Sequence, residues 1–238
     1  YHLGECYNYG KRIMPDYNKA FEWYTKSSEG GNVRAMNRLG YYYSFGHVVK
    51  VDNKKSFEFY LKSAEGGDKY SLYAVGNCYH DGKGVFQDKN KAFKWYLRAS
   101  EKSFAYYQYL VANYYHDGIY VSKNEEKEFY WIRKAAINGY IGAQYKLAET
   151  YLNSNKKKAF KWYLKLANDK KLRAIYLVAK CYRDGIGTDK NLKEATKWMK
   201  KYEASKHYNK PIITLNDFLN GSDIIAFEIP EYACSYLI

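Results

Sequence analysis

The side chains of this 238-residue chain that could do chemistry are four cysteines, two histidine–aspartate pairs and 30 tyrosines. Cys6, Cys78 and Cys181 each stand directly before a tyrosine, and Cys234 lies near the end. Thiols cross-link, ligate zinc or attack an electrophile, but no Cys-x-x-Cys occurs, so a zinc site has no support. His80-Asp81-Gly82 and His116-Asp117-Gly118 could contribute to a metal site. A metal needs further ligands converging at about 2 Å, and no third ligand accompanies either pair. The sequence also lacks a glycine-rich phosphate loop, a nucleophile elbow and carboxylates paired for acid–base work. The expectation is a non-catalytic chain without metal or cofactor. Tyrosine points to recognition instead, since it offers a large apolar ring, a hydroxyl and little rotamer entropy to lose.

A repeat positions these residues. Trp23, Phe59, Trp95, Trp131, Trp162 and Trp198 follow one another at 36, 36, 36, 31 and 36 residues. The same progression carries Tyr7, Tyr43, Tyr79, Tyr115, Tyr151 and Tyr182, and the small residues Gly4, Gly40, Gly76, Ala112, Ala148 and Ala179. Small residues are needed where two helix axes approach to about 8 Å. Each copy reads as helix, turn, helix. In the second copy the spacing of Ala35, Leu39, Gly40 and Tyr43 predicts a first helix over 33–45, closed at Gly46. Gly10, Gly82, Gly118 and Gly185 hold the equivalent place, where a left-handed residue commonly ends a helix. The second helix should open on a side-chain cap at Asp16, Asp52, Asp88, Asn124, Asn155 and Asn191, and stop at glycines such as Gly30, Gly66 and Gly139. In the fifth copy only Leu152, Asn153 and Ser154 separate Tyr151 from Asn155, so the five missing residues fall in the turn.

Three prolines and 19% aromatic residues fit a folded helical chain. No run of 18 apolar residues is present, so no transmembrane helix is expected. The net charge of +14 raises the question of an acidic partner.

Leu39-Gly40-x-x-Tyr43-x-x-Gly46-x-x-Val49, Asp52-x-x-Lys55 and Ser63-Ala64-Glu65-Gly66 resemble the Sel-one-like repeat, a relative of the tetratricopeptide repeat. Gly76-x-x-Tyr79-x-Asp81-Gly82-x-Gly84-Val85, Lys91-Ala92-x-x-Trp95-Tyr96 and Tyr182-x-Asp184-Gly185-x-Gly187 carry the same resemblance. It implies an all-α, right-handed α-α superhelix, a solenoid of about six repeats, that serves as an adaptor assembling protein complexes. The expected units are 1–32, 33–68, 69–104, 105–140, 141–171 and 172–206, with 207–238 as a short irregular cap or tail.

In a solenoid each repeat buries one side against its neighbours and offers the rest to partners. Opposite Leu39, the first helices carry three columns: Tyr1, Asn37, Tyr73, Tyr109, Tyr145 and Tyr176; Glu5, Tyr41, Asn77, Asn113, Glu149 and Lys180; and Asn8, Ser44, His80, His116, Leu152 and Arg183. The last two columns vary in chemistry, which suggests that packing does not dictate them. By analogy with tetratricopeptide stacks this face should be concave. The expected partner-binding residues are Tyr41, Tyr73, Asn77, His80, Tyr109, Asn113, His116, Tyr145, Glu149, Tyr176, Lys180 and Arg183, and the expected partner is a protein or peptide. The second helices carry a basic stripe, among it Lys91, Lys94 and Arg98, and Lys158, Lys161 and Lys165, read as a convex solvated surface. Binding of RNA or an acidic membrane there is the alternative. Nucleic acid is disfavoured, because the groove columns place cations only at Lys180 and Arg183 while phosphate recognition needs them beside the stacking rings.

First helices about 8–10 Å apart keep Cys6, Cys78 and Cys181 beyond disulfide reach, and a reducing, cytoplasmic location is expected. The chain opens inside a first helix, so residues before Tyr1 and further domains are expected in a longer protein. From Pro211 onward there are four acidic residues and no Lys or Arg, which leaves the repeats at +18. Residues 211–219 should form a short helix ended by Gly221 and cover the end of the stack; 224–230 are apolar and partly β-like.

Overall fold

The computed structural model describes residues 1–102, 104–204 and 215–223. Among them all regular structure is helical, in thirteen elements: α1 His2–Tyr9, α2 Tyr17–Glu29, α3 Val33–Phe45, α4 Asn53–Glu65, α5 Lys69–Asp81, α6 Lys89–Glu101, α7 Ala105–Asp117, α8 Glu125–Ile137, α9 Ile141–Ser154, α10 Lys156–Asn168, α11 Leu172–Asp184, α12 Leu192–Ala204 and α13 Leu215–Leu219. The chain divides into two compact units, Tyr1–Glu128 and Phe129–Ile238.

The caps form as the sequence requires. The side chains of Asp16, Asp52, Asp88, Asn124, Asn155 and Asn191 each accept the backbone N–H three residues on, at 2.8–3.0 Å. Each cap is worth about 1 kcal/mol. First helices end at Gly10, Gly46, Gly82, Gly118 and Gly185, all left-handed with φ between 65° and 73°. The second helices stop at Gly30 and Gly66 as expected, whereas α8 already ends at Ile137, ahead of Gly139. Gly30 and Gly66 close α2 and α4 at φ −79° and −74°, and the left-handed residue is the next one, Gly31 or Gly67. Gly139 is left-handed itself, and Lys170 takes the same conformation in the fifth repeat.

One hydrogen bond explains the shortened fifth repeat. In every repeat the cap residue's N–H donates to the carbonyl of the repeat tyrosine: Asp16 to Tyr7, Asp52 to Tyr43, Asp88 to Tyr79, Asn124 to Tyr115, Asn155 to Tyr151 and Asn191 to Tyr182, at 2.7–3.0 Å. Elsewhere the two residues lie nine apart in sequence; in the fifth they lie four apart, the spacing of an ordinary α-helical bond. Deleting five residues therefore keeps the bond and lets α9 run on to Ser154 before α10.

In unit 1 the small-residue column is filled by tyrosine rings from the second helices. A Cβ at Gly4, Gly40 or Gly76 would come within 2.6–2.8 Å of Tyr24, Tyr60 or Tyr96 respectively. Tyr24 is fully buried, together with Ala20, Ala35, Leu39 and Tyr42. Tyr60 packs with Ala64, Leu72, Val75 and Ala99. Unit 2 has its own core, in which Ala148 and Ala179 replace glycine beside Tyr163, Leu166, Val178, Trp198 and Met199. Its last member, Phe218 of α13, is wholly buried.

The loop glycines show how successive hairpins seat. At Gly84, φ 73°, an added Cβ would overlap the carbonyl of Asn53 at the start of α4; at Gly187, φ 72°, it would overlap that of Lys156 at the start of α10.

Candidate interaction surface

The lysines of the second helices are committed to the repeat more closely than a solvated stripe implies. Three residues past each cap, Lys19, Lys55, Lys91, Lys127 and Lys158 lie 5.3–5.4 Å over the rings of Tyr7, Tyr43, Tyr79, Tyr115 and Tyr151. Seven residues, or about two helical turns, further on in the helix, Lys26, Arg98, Lys134 and Lys165, with Lys201 in the last repeat, sit 4.0–5.1 Å over the repeat tryptophans. Each such contact contributes about 0.5–1 kcal/mol at an exposed site. Lys19, Lys55 and Lys91 also face their own caps Asp16, Asp52 and Asp88 at 3.5–3.9 Å. Much of this basic stripe is thus tied to the repeats' own rings and caps.

On the first-helix face of unit 1, variation in a column does not mean freedom from packing. Glu5 accepts the Tyr24 hydroxyl at 2.7 Å and pairs with Arg38 at 2.9 Å. Burial acts against its charge, but these donors outweigh that and hold its carboxyl below the usual range. Two repeats on, Asn77 accepts the Tyr96 hydroxyl at 2.8 Å. A carboxylate and an amide oxygen do the same work, so the residue type changes while the structural task persists. In the third column Asn8 accepts from Tyr42 and Ser44 meets Ser56.

The other expected residues of unit 1 fall in mixed positions. Tyr73 is half-buried, stacked on Tyr107 with centroids 4.4 Å apart. Tyr109 and Asn113 are half-buried. The histidines are engaged separately, His80 Nδ1 with Asp81 at 2.9 Å and His116 Nδ1 with Glu128 at 3.0 Å. Tyr41 is open to solvent, 41% exposed.

Tyr41 heads a cluster that sequence reasoning missed. Its ring lies 4.6 Å from Phe45 and stacks at 5.5 Å on His47, which in turn stacks on Tyr17 at 6.4 Å. Phe45 is 62% and Tyr17 54% exposed. Exposed rings in contact with one another mark an interaction site more often than scattered ones do. A signal was present: Tyr9 and Phe45 stand before the closing glycine where repeats three, four and six carry Asp81, Asp117 and Asp184.

In unit 2 the same columns are closed. Tyr145 and Tyr176 are each only 2% exposed, which corrects their expected place on an open face. Arg173 covers Tyr145 at 4.9 Å and pairs with Glu149 at 2.8 Å. Tyr176, Lys180 and Arg183 hold residues 218–223 of the same chain. Arg183, 5% exposed, donates to the carbonyls of Phe218 and Ser222 at 2.9 and 3.0 Å, to Asp223 at 2.9 Å and to Asp184 through two nitrogens. Tyr176 donates to Asp223 at 3.1 Å, and Lys180 pairs with the same carboxylate. A short helix ahead of Gly221 had been expected, and α13 fills that place from Leu215 to Leu219. Pro211–Thr214, the apolar stretch 224–230 and Cys234 lie outside the described residues.

Cys6, Cys78 and Cys181 are free thiols. Burial pushes Cys78 up to about 11 and Cys181 up to about 12, which makes them poor nucleophiles. No helix among the described residues is long and apolar enough to cross a membrane.

A model of the Sel1 repeat matches residues 1–32, 33–68, 69–104, 105–140, 141–170 and 172–201. The crystal structure of a Sel1 repeat protein from Oxalobacter formigenes is similar, with 26% identity and a TM-score of 0.69 over 87% of this chain. The match spans 61% of that protein's length. A protective antigen of uropathogenic Escherichia coli strains with an SLR fold is 30% identical, with a TM-score of 0.48, over 84% of this chain and 52% of its own. Among curated proteins no relative matches. Six tandem matches over the caps, tyrosines and closing glycines described above place the chain in the Sel1 repeat family, whose all-helical repeat fold it shares.

Proposed function

We propose that the chain is a non-catalytic adaptor that holds a segment of a partner protein on the first-helix face of unit 1. Sel1 repeat proteins generally serve as protein-interaction scaffolds. The observation that carries the reading for this chain is the contrast between its two faces. In unit 2 the columns of Tyr176, Lys180 and Arg183 hold a short helical segment, whereas in unit 1 Tyr41, Phe45 and His47 present contiguous rings to solvent. Aromatic anchors that lose little rotamer entropy are the residues that dominate protein interfaces. Tyr73, Asn77, His80, Tyr109, Asn113 and His116 extend this surface along unit 1. Their hydroxyl, amide and imidazole groups supply the polar contacts. The free, largely buried thiols support a reducing, cytoplasmic setting.

Quantitative affinity capture tests the reading. Tyr41→Ala combined with His80→Ala should deplete a specific partner at least tenfold with the melting temperature unchanged. Lys94→Glu combined with Lys161→Glu should leave capture intact. Loss of partners only in the second variant, with steep salt dependence, would favour electrostatic binding by the second-helix face instead.

A further inference from the structure

Residues 215–223 are held by contacts that a simple hydrophobic lid does not require. Phe218 enters wholly buried, its ring 5.7 Å from Tyr176 and under the Arg183 guanidinium at 4.7 Å. Apolar cover for the last repeat would need no more than that ring and its neighbours Leu215 and Leu219. Arg183 nevertheless spends its donors on the carbonyls of Phe218 and Ser222, the C-terminal end of a helical turn, and on the Asp223 carboxylate. Tyr176 and Lys180 converge on that same carboxylate. Three side chains from three different columns of one helix face therefore read one acid.

In unit 1 the same columns serve the packing of the repeats, with Glu5 and Asn77 accepting from Tyr24 and Tyr96. The place of Arg183 is taken by Asn8, which accepts from Tyr42, and by Ser44, which meets Ser56. Arg183 makes its contacts with residues 218–223 and with Asp184, the latter fixing the guanidinium from its own helix. A planar fork held by one carboxylate and presented to another is suited to specific recognition of an anion.

We propose that residues 215–223 are a ligand carried in cis, and that the last repeat's first-helix face binds in trans short helical peptides of the same chemistry. Such a peptide has an aromatic anchor followed, past the helix end, by a carboxylate five residues on. The segment and the partner peptide compete for one site. The inference rests on the reading of the first-helix face as a docking surface. It is tested on a different unit with a defined peptide, so either can fail alone.

The probe is a fluorescein-labelled peptide of residues 215–223, titrated by anisotropy against the full chain. With the cis segment disabled by Phe218→Ala and Asp223→Asn, the chain should bind the peptide at least tenfold tighter than the wild type does. Adding Arg183→Gln should abolish that gain, as should Phe218→Ala in the peptide. Equal weak binding by both chains would overturn the proposal. Because the disabled chain could fail to fold, amide exchange of the unmodified protein gives a second reading. Amides of 218–222 should exchange at least a hundredfold faster than those in the middle of α11 and α12. Exchange at the same rate would make the segment a fixed part of the unit and contradict competition.

Discussion

The first-helix faces of the two units use the same columns for opposite ends. In unit 1 the second-column residue Tyr41 is exposed and joined to Phe45 and His47, which lie outside the repeat core. In unit 2 its counterpart Lys180 is paired with Asp223, and the buried Tyr176 and Arg183 pack against Phe218. The difference shows that a position left variable by the repeat acquires its role from what lies against it. A tyrosine is a surface where nothing covers it and core where the chain folds back.

The largest break in that comparison should come from Phe218→Ala. Emptying a fully buried aromatic site removes about 3 kcal/mol of docking energy, seen as accelerated amide exchange of α13. Phe45→Ala, in the open cluster, should change stability by less than about 0.5 kcal/mol, measured by denaturant midpoint.

The packing columns sharpen the contrast next. Gly40→Ala drives a methyl to 2.7 Å from the Tyr60 ring and should destabilise unit 1 by about 1–3 kcal/mol in thermal unfolding. Ala148→Gly in unit 2 removes a methyl the core already accommodates. It should cost about 1 kcal/mol, through backbone freedom rather than overlap.

A pH titration separates the faces again. Burial disfavours the Asp223 carboxylate, but donors from Lys180, Arg183 and Tyr176 outweigh it and hold the group below the usual carboxylate range. Asp184, which shares Arg183, is the other acid of this cluster. A depressed folded value means that docking is fully stabilised above the unfolded value of about 3.9 and weakens as pH falls through the depressed one. Ring resonances of Phe218 should report undocking on acidification, and Asp223→Asn should abolish that dependence. The second-helix face should give a small effect, though one above that of Phe45→Ala. Lys201→Met removes a cation 4.0 Å over Trp198 and should cost about 0.5–1 kcal/mol in the same unfolding assay.

The fold was legible because its signals are local and repeated. A cap, a closing glycine and a ring column recur at one spacing, and each is enforced by a bond formed within a hairpin, such as Asp52 N–H to Tyr43. The faces were less legible because burial depends on distant segments. Nothing near Tyr176 announces Phe218, which lies 42 residues further on. The variable columns misled for a different reason. Glu5 and Asn77 look unrelated, yet each serves as acceptor for a buried tyrosine hydroxyl. The lysine stripe is open to solvent as its charge implies, and what the charge pattern does not show is that Lys19, Lys55 and Lys91 also lie over rings of the other helix of the hairpin.

Site-specific photo-crosslinking tests the account most directly. Benzoylphenylalanine would replace Tyr41, His80 or Lys94 one at a time in the full chain, with adducts compared after irradiation in cells. The account predicts that positions 41 and 80 capture the same partner protein and that position 94 captures none. Capture by position 94 with silence at 41 and 80 would contradict it and move the binding surface to the second helices.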